Sequence, residues 1–483
     1  MLRFVRKGWI DSQLPRLCAA LSAAEFFGPA IEVFYQHFQE LHFMSHNTNR
    51  RRFLQTAAVT GVGVWVAGGL SAQESKSPNE KIAMASIGIG GKGSSDSSDA
   101  GNAGKMVAIC DVDEGTLNAG AKRFPGAKLY TDFRKMLDEM GKSIDAVTVS
   151  TPDHTHAPAA LMAMRMGKHC FCQKPLTHTI YEARLMAKVA KDMKVATQMG
   201  NQGTAAPCLR RAAAIVKSGV LGPVKEVHVW TNRPIWPQGG DRPKAADCPP
   251  HVKWDLWLGP APVRPYANGY HTFAWRGWWD FGTGALGDMA CHTVNMPYMA
   301  LNLRDPVSVQ AECATHNGDS YPKWSTITFD FPALGDRPAV KLFWYDGGKR
   351  PNKELVGGKP MDASGCVVVG EKGSLYGPSD YCEKEIYLLG GPAMPEVKPV
   401  ESPGHFEEWV RAIKGGEPAM SNFADYAGGL TETILLGNLA VWAAATGKGP
   451  KVEWDSKNLK STNIPGLETI IKPLYRPGYT LDV

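Results

Sequence analysis

From Lys81 onward the apolar positions fall first into short unbroken runs. Ile82–Ile87, Met106–Cys110, Ala146–Ser150, His169–Cys172 and Val195–Met199 each hold four to six residues, the pattern of strands buried on both faces. Between them Phe133–Met140, Ala157–Met166 and Tyr181–Met193 read as helices. Strand and helix taking turns over short connections predict an α/β unit with a doubly wound parallel sheet, spanning 80–200. After Met199 the pattern changes. Gly200-Asn201-Gln202-Gly203 interrupts, a helix is expected over Ala205–Ser218, and Val224–Thr231 alternates like a strand. Val307–Cys313, Trp324–Phe331, Ala339–Tyr345 and Cys366–Gly370 read as further strands with turn residues between them. Consecutive strands without long intervening helices predict an α+β domain with a mostly antiparallel open sheet over 201–483. Residues 233–283, rich in Pro, Trp and Gly, read as a large insertion bordering a cleft. His405–Lys414 and Asp425–Thr446 read as helices that pack back on the body.

The chain before Lys81 has a different character. Arg50-Arg51-Arg52-Phe53-Leu54 precedes Thr56–Leu70, a charge-free run of 15 residues. That is shorter than the ~20 residues needed to span a bilayer as a helix. Adjacent arginines followed by a weakly hydrophobic segment resemble a twin-arginine export signal. An uncleaved anchor, or a basic loop before a buried helix, fits the same residues. Met44 stands where such a leader ordinarily begins, so 44–79 is expected to be signal and linker, and 1–43 an over-extended start. The competing reading is a true extension with a short helix around Leu17–Phe38. The leader implies passage through the twin-arginine translocase and a periplasmic location, with no stable membrane span in the mature protein.

Composition narrows the classes. A 43% hydrophobic content with 21% charged residues excludes a disordered chain. The net charge of +6 divides unevenly. Residues 1–79 hold 8 Lys/Arg against 5 Asp/Glu, and the remaining 404 hold 45 against 42. The body is nearly neutral, which argues against nucleic acid as a partner. Nine of the ten cysteines follow the leader, without paired CxxC motifs, so buried free thiols are expected, with neither a disulfide framework nor a metal site.

The first predicted strand runs into Gly88-Ile89-Gly90-Gly91-Lys92-Gly93, a G-x-G-x-x-G fingerprint. Gly88 allows a tight turn, Gly90 lets backbone approach a pyrophosphate, and Gly93 permits close helix–strand packing. The second strand ends in Asp111, 18 residues after Gly93, where a carboxylate can accept hydrogen bonds from ribose hydroxyls and repel a 2′-phosphate. NAD is therefore favoured over NADP.

Further motifs follow in order: Thr151-Pro152-Asp153-His154-Thr155-His156, then Cys172-Gln173-Lys174-Pro175. With the fingerprint, these resemble the Gfo/Idh/MocA family, the glucose–fructose oxidoreductase and inositol dehydrogenase group, over about 80–450. The resemblance places Lys174 beside a nicotinamide ring and Pro152 and His156 on the nicotinamide side of the cleft. It puts Gln173 where the family has Glu, keeping hydrogen-bonding capacity without the charge. His154 reads as a loop histidine.

Farther on, Asp288 and His292 stand four apart and share a face if helical. Spacing alone reads more simply as a capping aspartate after Gly287 and a packed histidine. The family, however, carries Asp-x-x-x-His at its substrate site. The resemblance thus makes Lys174, Asp288 and His292 the catalytic candidates. His292 would act as general base, Lys174 would polarise the reacting oxygen, and Asp288 would orient either. Asn295 replaces an Asp that the family often has. Trp275, Trp278, Trp279 and Arg276 are candidate walls of a sugar site, although tryptophans here could equally be core. Asn201 and Gln202 are candidates for hydroxyl contacts. The expected activity is an NAD-dependent oxidoreductase acting on a sugar or polyol, with NAD tightly held and the protein homo-oligomeric. The alternative is a redox-neutral glycosidase working by transient oxidation, and a third reading is a non-catalytic sugar-binding protein.

Overall fold

The computed structural model describes residues 81–391 and 393–481. The start at Met44, the twin-arginine segment and the linker up to residue 79 lie outside the described residues.

Six strands form one wholly parallel sheet: β1 Ala83–Ile87, β2 Lys105–Cys110, β3 Lys128–Tyr130, β4 Ala146–Val149, β5 His169–Cys172 and β6 Thr197–Met199. Their order is β3-β2-β1-β4-β5-β6. The order reverses between β1 and β4, and a ligand crevice forms at the carboxyl ends of strands beside such a switch point. Every residue of β4 is buried, which is why this strand reads as a continuous apolar run rather than as an alternation. The helix after β4 spans Asp153–Arg165 and starts four residues before the predicted Ala157. Pro152, at φ −58°, closes the extended segment, and Asp153 puts a carboxylate at the positive helix start. His154 is therefore helical and buried, not a loop residue.

The second sheet has ten strands: the path β13-β12-β11-β7-β10-β9-β8 continues into two short C-terminal strands, Val452–Asp455 and Lys460–Ser461, and Gly447–Lys448 pairs β8 off that path. Its members are β7 Val224–Trp230, β8 Ser308–Cys313, β9 Ser325–Phe331, β10 Val340–Tyr345, β11 Gly365–Gly370, β12 Gly373–Pro378 and β13 Tyr387–Leu389. β7 and β10 are parallel, and the other pairings are antiparallel. Strict alternation of buried and half-buried residues along β9 shows one covered face. The helix Gly428–Ala444 supplies the cover. An added Cβ on Gly437 would come within 2.6 Å of Leu286 and 2.9 Å of Phe329, so helix and sheet meet without a gap. The predicted Asp425–Thr446 helix is divided, with a π-turn over Phe423–Ala427 before it.

The helix His405–Ile413 returns to the first sheet. Phe406 and Trp409 pack on Phe171 of β5 at 5.2 and 5.8 Å, and the Trp409 indole donates to the Ala196 carbonyl at 3.0 Å. A buried Arg210–Glu408 ion pair ties this helix to Pro207–Lys217. Among the described residues no helix is long and apolar enough to cross a membrane.

Candidate active site

The turn after β1 is built to admit a phosphate. Gly88 has φ +75°, and a Cβ there would sit 2.7 Å from the Ser150 carbonyl oxygen. At Gly93 a Cβ would stand only 2.1 Å from the Gly88 carbonyl oxygen. The helix Lys92–Ala103 follows at once, and no side chain caps its N-terminus. Its free N–H groups and dipole suit an anion. Asp111, at the end of β2, accepts from the Ile89 and Asp113 amides at 2.9 Å each, which fixes its carboxylate beside Gly90. Burial raises the Asp111 carboxyl above its ordinary value, and the two amide bonds partly offset that. The cradle and the acidic residue at the second strand end fit a dinucleotide with unmodified ribose.

At the ends of β4 and β5 the predicted residues divide into two groups. Lys174 donates to Asp288 Oδ1 at 2.7 Å and to the Asp288 carbonyl at 3.0 Å. Arg276 Nε reaches the same Oδ1 at 3.2 Å. Burial acts to raise the Asp288 carboxyl, but Lys174 and Arg276 outweigh it and hold it down at about 2. Asp288 lies inside the helix Gly284–Thr293, one turn before His292, so it is not the helix cap that spacing allowed. Burial, and next the Lys174 charge, push His292 well below its ordinary value, so the ring is neutral. Its Nδ1 is buried without a hydrogen-bond partner among the described residues. The Nδ2 of Asn201, at the end of β6, is likewise buried and unpartnered, while its Oδ1 accepts from Ser421.

The other candidates act differently. His156 sets Nδ1 2.8 Å from the Pro175 carbonyl and Nε2 2.9 Å from that of Thr151, joining the β4 and β5 turns. Pro152 stays half-buried at the mouth of the β4 turn. Gln173 turns inward: its amide donates to Asp96 at 2.9 Å, and its Oε1 accepts from the Lys174 amide at 3.2 Å. Gln202 is exposed. The tryptophans are core and not open walls. Trp278 packs edge-on against Tyr270, and Trp279 stacks on Tyr321 at 3.8 Å. Trp275 is 6% exposed and lies under Arg276, whose guanidinium sits 4.3 Å from the ring centre. It supports the residue that holds Asp288. Asn295 spends its side chain on Thr204 and Tyr426, so it serves packing.

Three features were given no role by the sequence. Asp153 is buried, accepts from Thr283 at 2.7 Å, and is pushed by burial to about 7. Tyr381 meets the His292 ring edge-to-face at 4.6 Å, brought there by a loop whose sequence has no pattern. The insertion clamps onto the end of β2. Lys253 N donates to the Val112 carbonyl and Glu114 N to that of His251, both at 2.9 Å. His271 Nε2 lies 3.2 Å from Asp113 Oδ2. His154 anchors the same insertion, with its ring nitrogens 3.1 and 3.0 Å from the Phe281 and Trp257 carbonyls. Among the described residues no cluster of His, Cys, Asp or Glu could hold a metal ion.

Residues 82–201 match the profile of an oxidoreductase family's NAD-binding Rossmann fold, and residues 208–337 match the same family's C-terminal alpha/beta domain. Levoglucosan dehydrogenase of Pseudarthrobacter phenanthrenivorans is 26% identical over 176 residues, 36% of this chain and 37% of that protein. The NAD(+)-dependent scyllo-inositol 2-dehydrogenase of Bacillus subtilis is 27% identical over 149 residues, 31% of this chain and 40% of its own. The chain thus spans little more than a third of the length of the curated relatives it matches. The WlbA dehydrogenase of Bordetella pertussis, solved with NADH and UDP-GlcNAcA, shares the fold. Its TM-score is 0.54 at 16% identity, covering 78% of this chain and 99% of that one.

Proposed function

The chain belongs to the Gfo/Idh/MocA family of oxidoreductases, and from that premise we propose that it oxidises a secondary hydroxyl of a sugar or polyol with NAD. The observation that carries this reading is the unpartnered Nδ1 of His292, beside the Lys174–Asp288 pair at the ligand edge of the parallel sheet. Bound NAD supplies the acceptor for the hydride that leaves the hydroxyl carbon. The chain supplies the proton chemistry. Neutral His292 offers its free Nδ1 to take the hydroxyl proton. Lys174 has three donors and spends two on Asp288, so one remains to polarise the substrate oxygen and favour its alkoxide. Asp288, kept ionised by Lys174 and Arg276, holds the Lys174 side chain in place. Asn201 Nδ2 offers a further donor to a hydroxyl. The sugar and polyol dehydrogenases among the relatives support the substrate class.

The cofactor is held tightly. The insertion crosses the end of β2 immediately after Asp111, with His271 and His251 on Asp113 and Lys253 on Glu114 at 2.7 Å. A strap there resists release of the adenosine end. Tight retention suits a protein exported already folded through the twin-arginine route to the periplasm, where no NAD pool supplies it. Purified protein should therefore carry NAD, and a panel of free sugars should produce reduced-nicotinamide absorbance. Release of the leaving group from aryl glycosides without net reduction would overturn the dehydrogenase reading in favour of an elimination route.

A further inference from the structure

Two cations meet on one carboxylate oxygen. Lys174 Nζ stands 2.7 Å from Asp288 Oδ1 and Arg276 Nε 3.2 Å from the same atom, which sets the cations within the width of one sugar ring. The Arg276 guanidinium is fixed there. Its Nη1 donates to the Phe273 carbonyl at 3.3 Å, and the Trp275 and Phe273 ring centres lie 4.3 and 5.1 Å from its carbon. Its Nη2 has no hydrogen-bond partner among the described residues, and the side chain is 23% exposed against 12% for Asp288. The other charged groups that face the site do not cancel the surplus. Arg233 pairs with Asp380 at 3.5 Å, and burial keeps His292 and His405 neutral. Asp153 accepts from Thr283, and burial pushes it up to about 7, where a further anion nearby favours its protonated form.

We propose that the substrate is an anionic sugar of the uronate class, whose carboxylate docks on Arg276 Nη2 while its reacting hydroxyl sits on Lys174. The inference rests on the dehydrogenase reading and names the substrate class for that same site. A neutral sugar would close the site over one unpaired positive charge, and burying an unpaired charge is costly. The oxidation does not relieve this, because the hydroxyl proton passes to His292 and stays in the cleft. A carboxylate does relieve it, and Nη2 brings two donors to meet its oxygens. One surplus charge also suits a carboxylate better than a phosphate. A phosphate dianion would bring a second negative charge, and Arg233, the remaining cation, is already paired with Asp380. Phe273, 47% exposed beside the guanidinium, offers an apolar ring to the C–H face of the same sugar.

The test uses the full chain loaded with cofactor and matched sugars: D-glucuronate against D-glucose, D-galacturonate against D-galactose, and the 6-phosphates of both hexoses. Dissociation constants are read by calorimetry with the cofactor reduced, and kcat/KM for nicotinamide reduction with it oxidised. In at least one pair the acid should bind at least about 100-fold more tightly than the neutral sugar, as where a site is built for a polar group that the rival lacks. Arg276→Gln should bring that ratio to within about threefold of one, and Arg276→Lys should restore part of it. The ratio in the unmodified chain stands as a test whether or not Arg276→Gln folds. Acids that do not bind, neutral sugars that bind as well, or a ratio unmoved in a folded Arg276→Gln would overturn the inference and leave a dehydrogenase of neutral sugars in place. Tighter binding of the 6-phosphates than of the acids would overturn the carboxylate in favour of a phosphate. An acid that binds through Arg276 yet reduces no nicotinamide upholds the docking site and overturns the functional reading instead.

Discussion

Replacing Lys174 with Met leaves Asp288 as a buried carboxylate with one cation in place of two. The pair is well shielded: the Lys174 and Asp288 side chains are 16% and 12% exposed, and the Nζ–Oδ1 distance is 2.7 Å. Against the cost of burial, the two cations bring the Asp288 carboxyl from 3.8 to about 2. At about 1.4 kcal/mol for each pH unit, that depression corresponds to about 2 to 3 kcal/mol of folding free energy near neutrality. The folded carboxyl titrates below the unfolded one. The contribution is therefore complete above about pH 4 and is lost as pH falls through about 2. A double-mutant cycle of Lys174→Met and Asp288→Asn, read by urea unfolding, isolates the Lys174 share. The expected coupling is about 2 kcal/mol at neutral pH and about half that near pH 3. A coupling under about 0.5 kcal/mol, the level of an exposed surface pair, would refute the reasoning, because it would mean that water already screens the contact.

Asp153 titrates in the opposite sense. Its folded carboxyl is pushed up to about 7, so the chain loses stability as pH rises from about 4 to 7. Asp153→Asn keeps an acceptor for Thr283 and should flatten that slope in melting temperature against pH, and an unchanged slope contradicts the assignment. His271→Ala removes the 3.2 Å contact of the strap with Asp113 and should speed NAD dissociation by about tenfold, as one charge-assisted hydrogen bond implies, in a displacement experiment. An unaltered off-rate would mean that the strap does not retain the cofactor. Gly93→Ala forces a Cβ to within 2.1 Å of a carbonyl oxygen, so the protein should purify folded by circular dichroism but without NAD, and retention of NAD would contradict the cradle.

The parallel sheet was legible because strands buried on both faces leave unbroken apolar runs, and its strand ends carried the fingerprint, Asp111 and Lys174. Strand β9 was legible for the complementary reason, its strict alternation. What was not legible depends on side chains meeting across distant segments. Trp275 and Trp279 have the composition of a sugar wall, but only three-dimensional packing shows that one lies beneath Arg276 and the other stacks on Tyr321. His154 reads as a loop histidine, yet Pro152 and Asp153 start a helix and carry it into the aromatic insertion. Gln173 reads as the family's Glu without its charge, and its hydrogen-bond partner, Asp96, lies 77 residues upstream in the first turns of the phosphate-side helix. Strands β12 and β13 were missed because Gly373, Gly377 and Pro378 break the apolar pattern of the edge pair.

The central claim is that hydride passes between a sugar carbon and NAD while His292 takes the hydroxyl proton beside Lys174. Its most direct measurement is a single turnover of NAD-loaded protein with the sugar that reduces it fastest, carrying deuterium at the oxidised carbon. The account predicts deuterium in the recovered reduced nicotinamide and a slowed step. It also predicts loss of that transfer in His292→Gln, with NAD still bound. Oxidation or cleavage of the sugar with no deuterium passing to the nicotinamide, or undiminished transfer in His292→Gln, would contradict it.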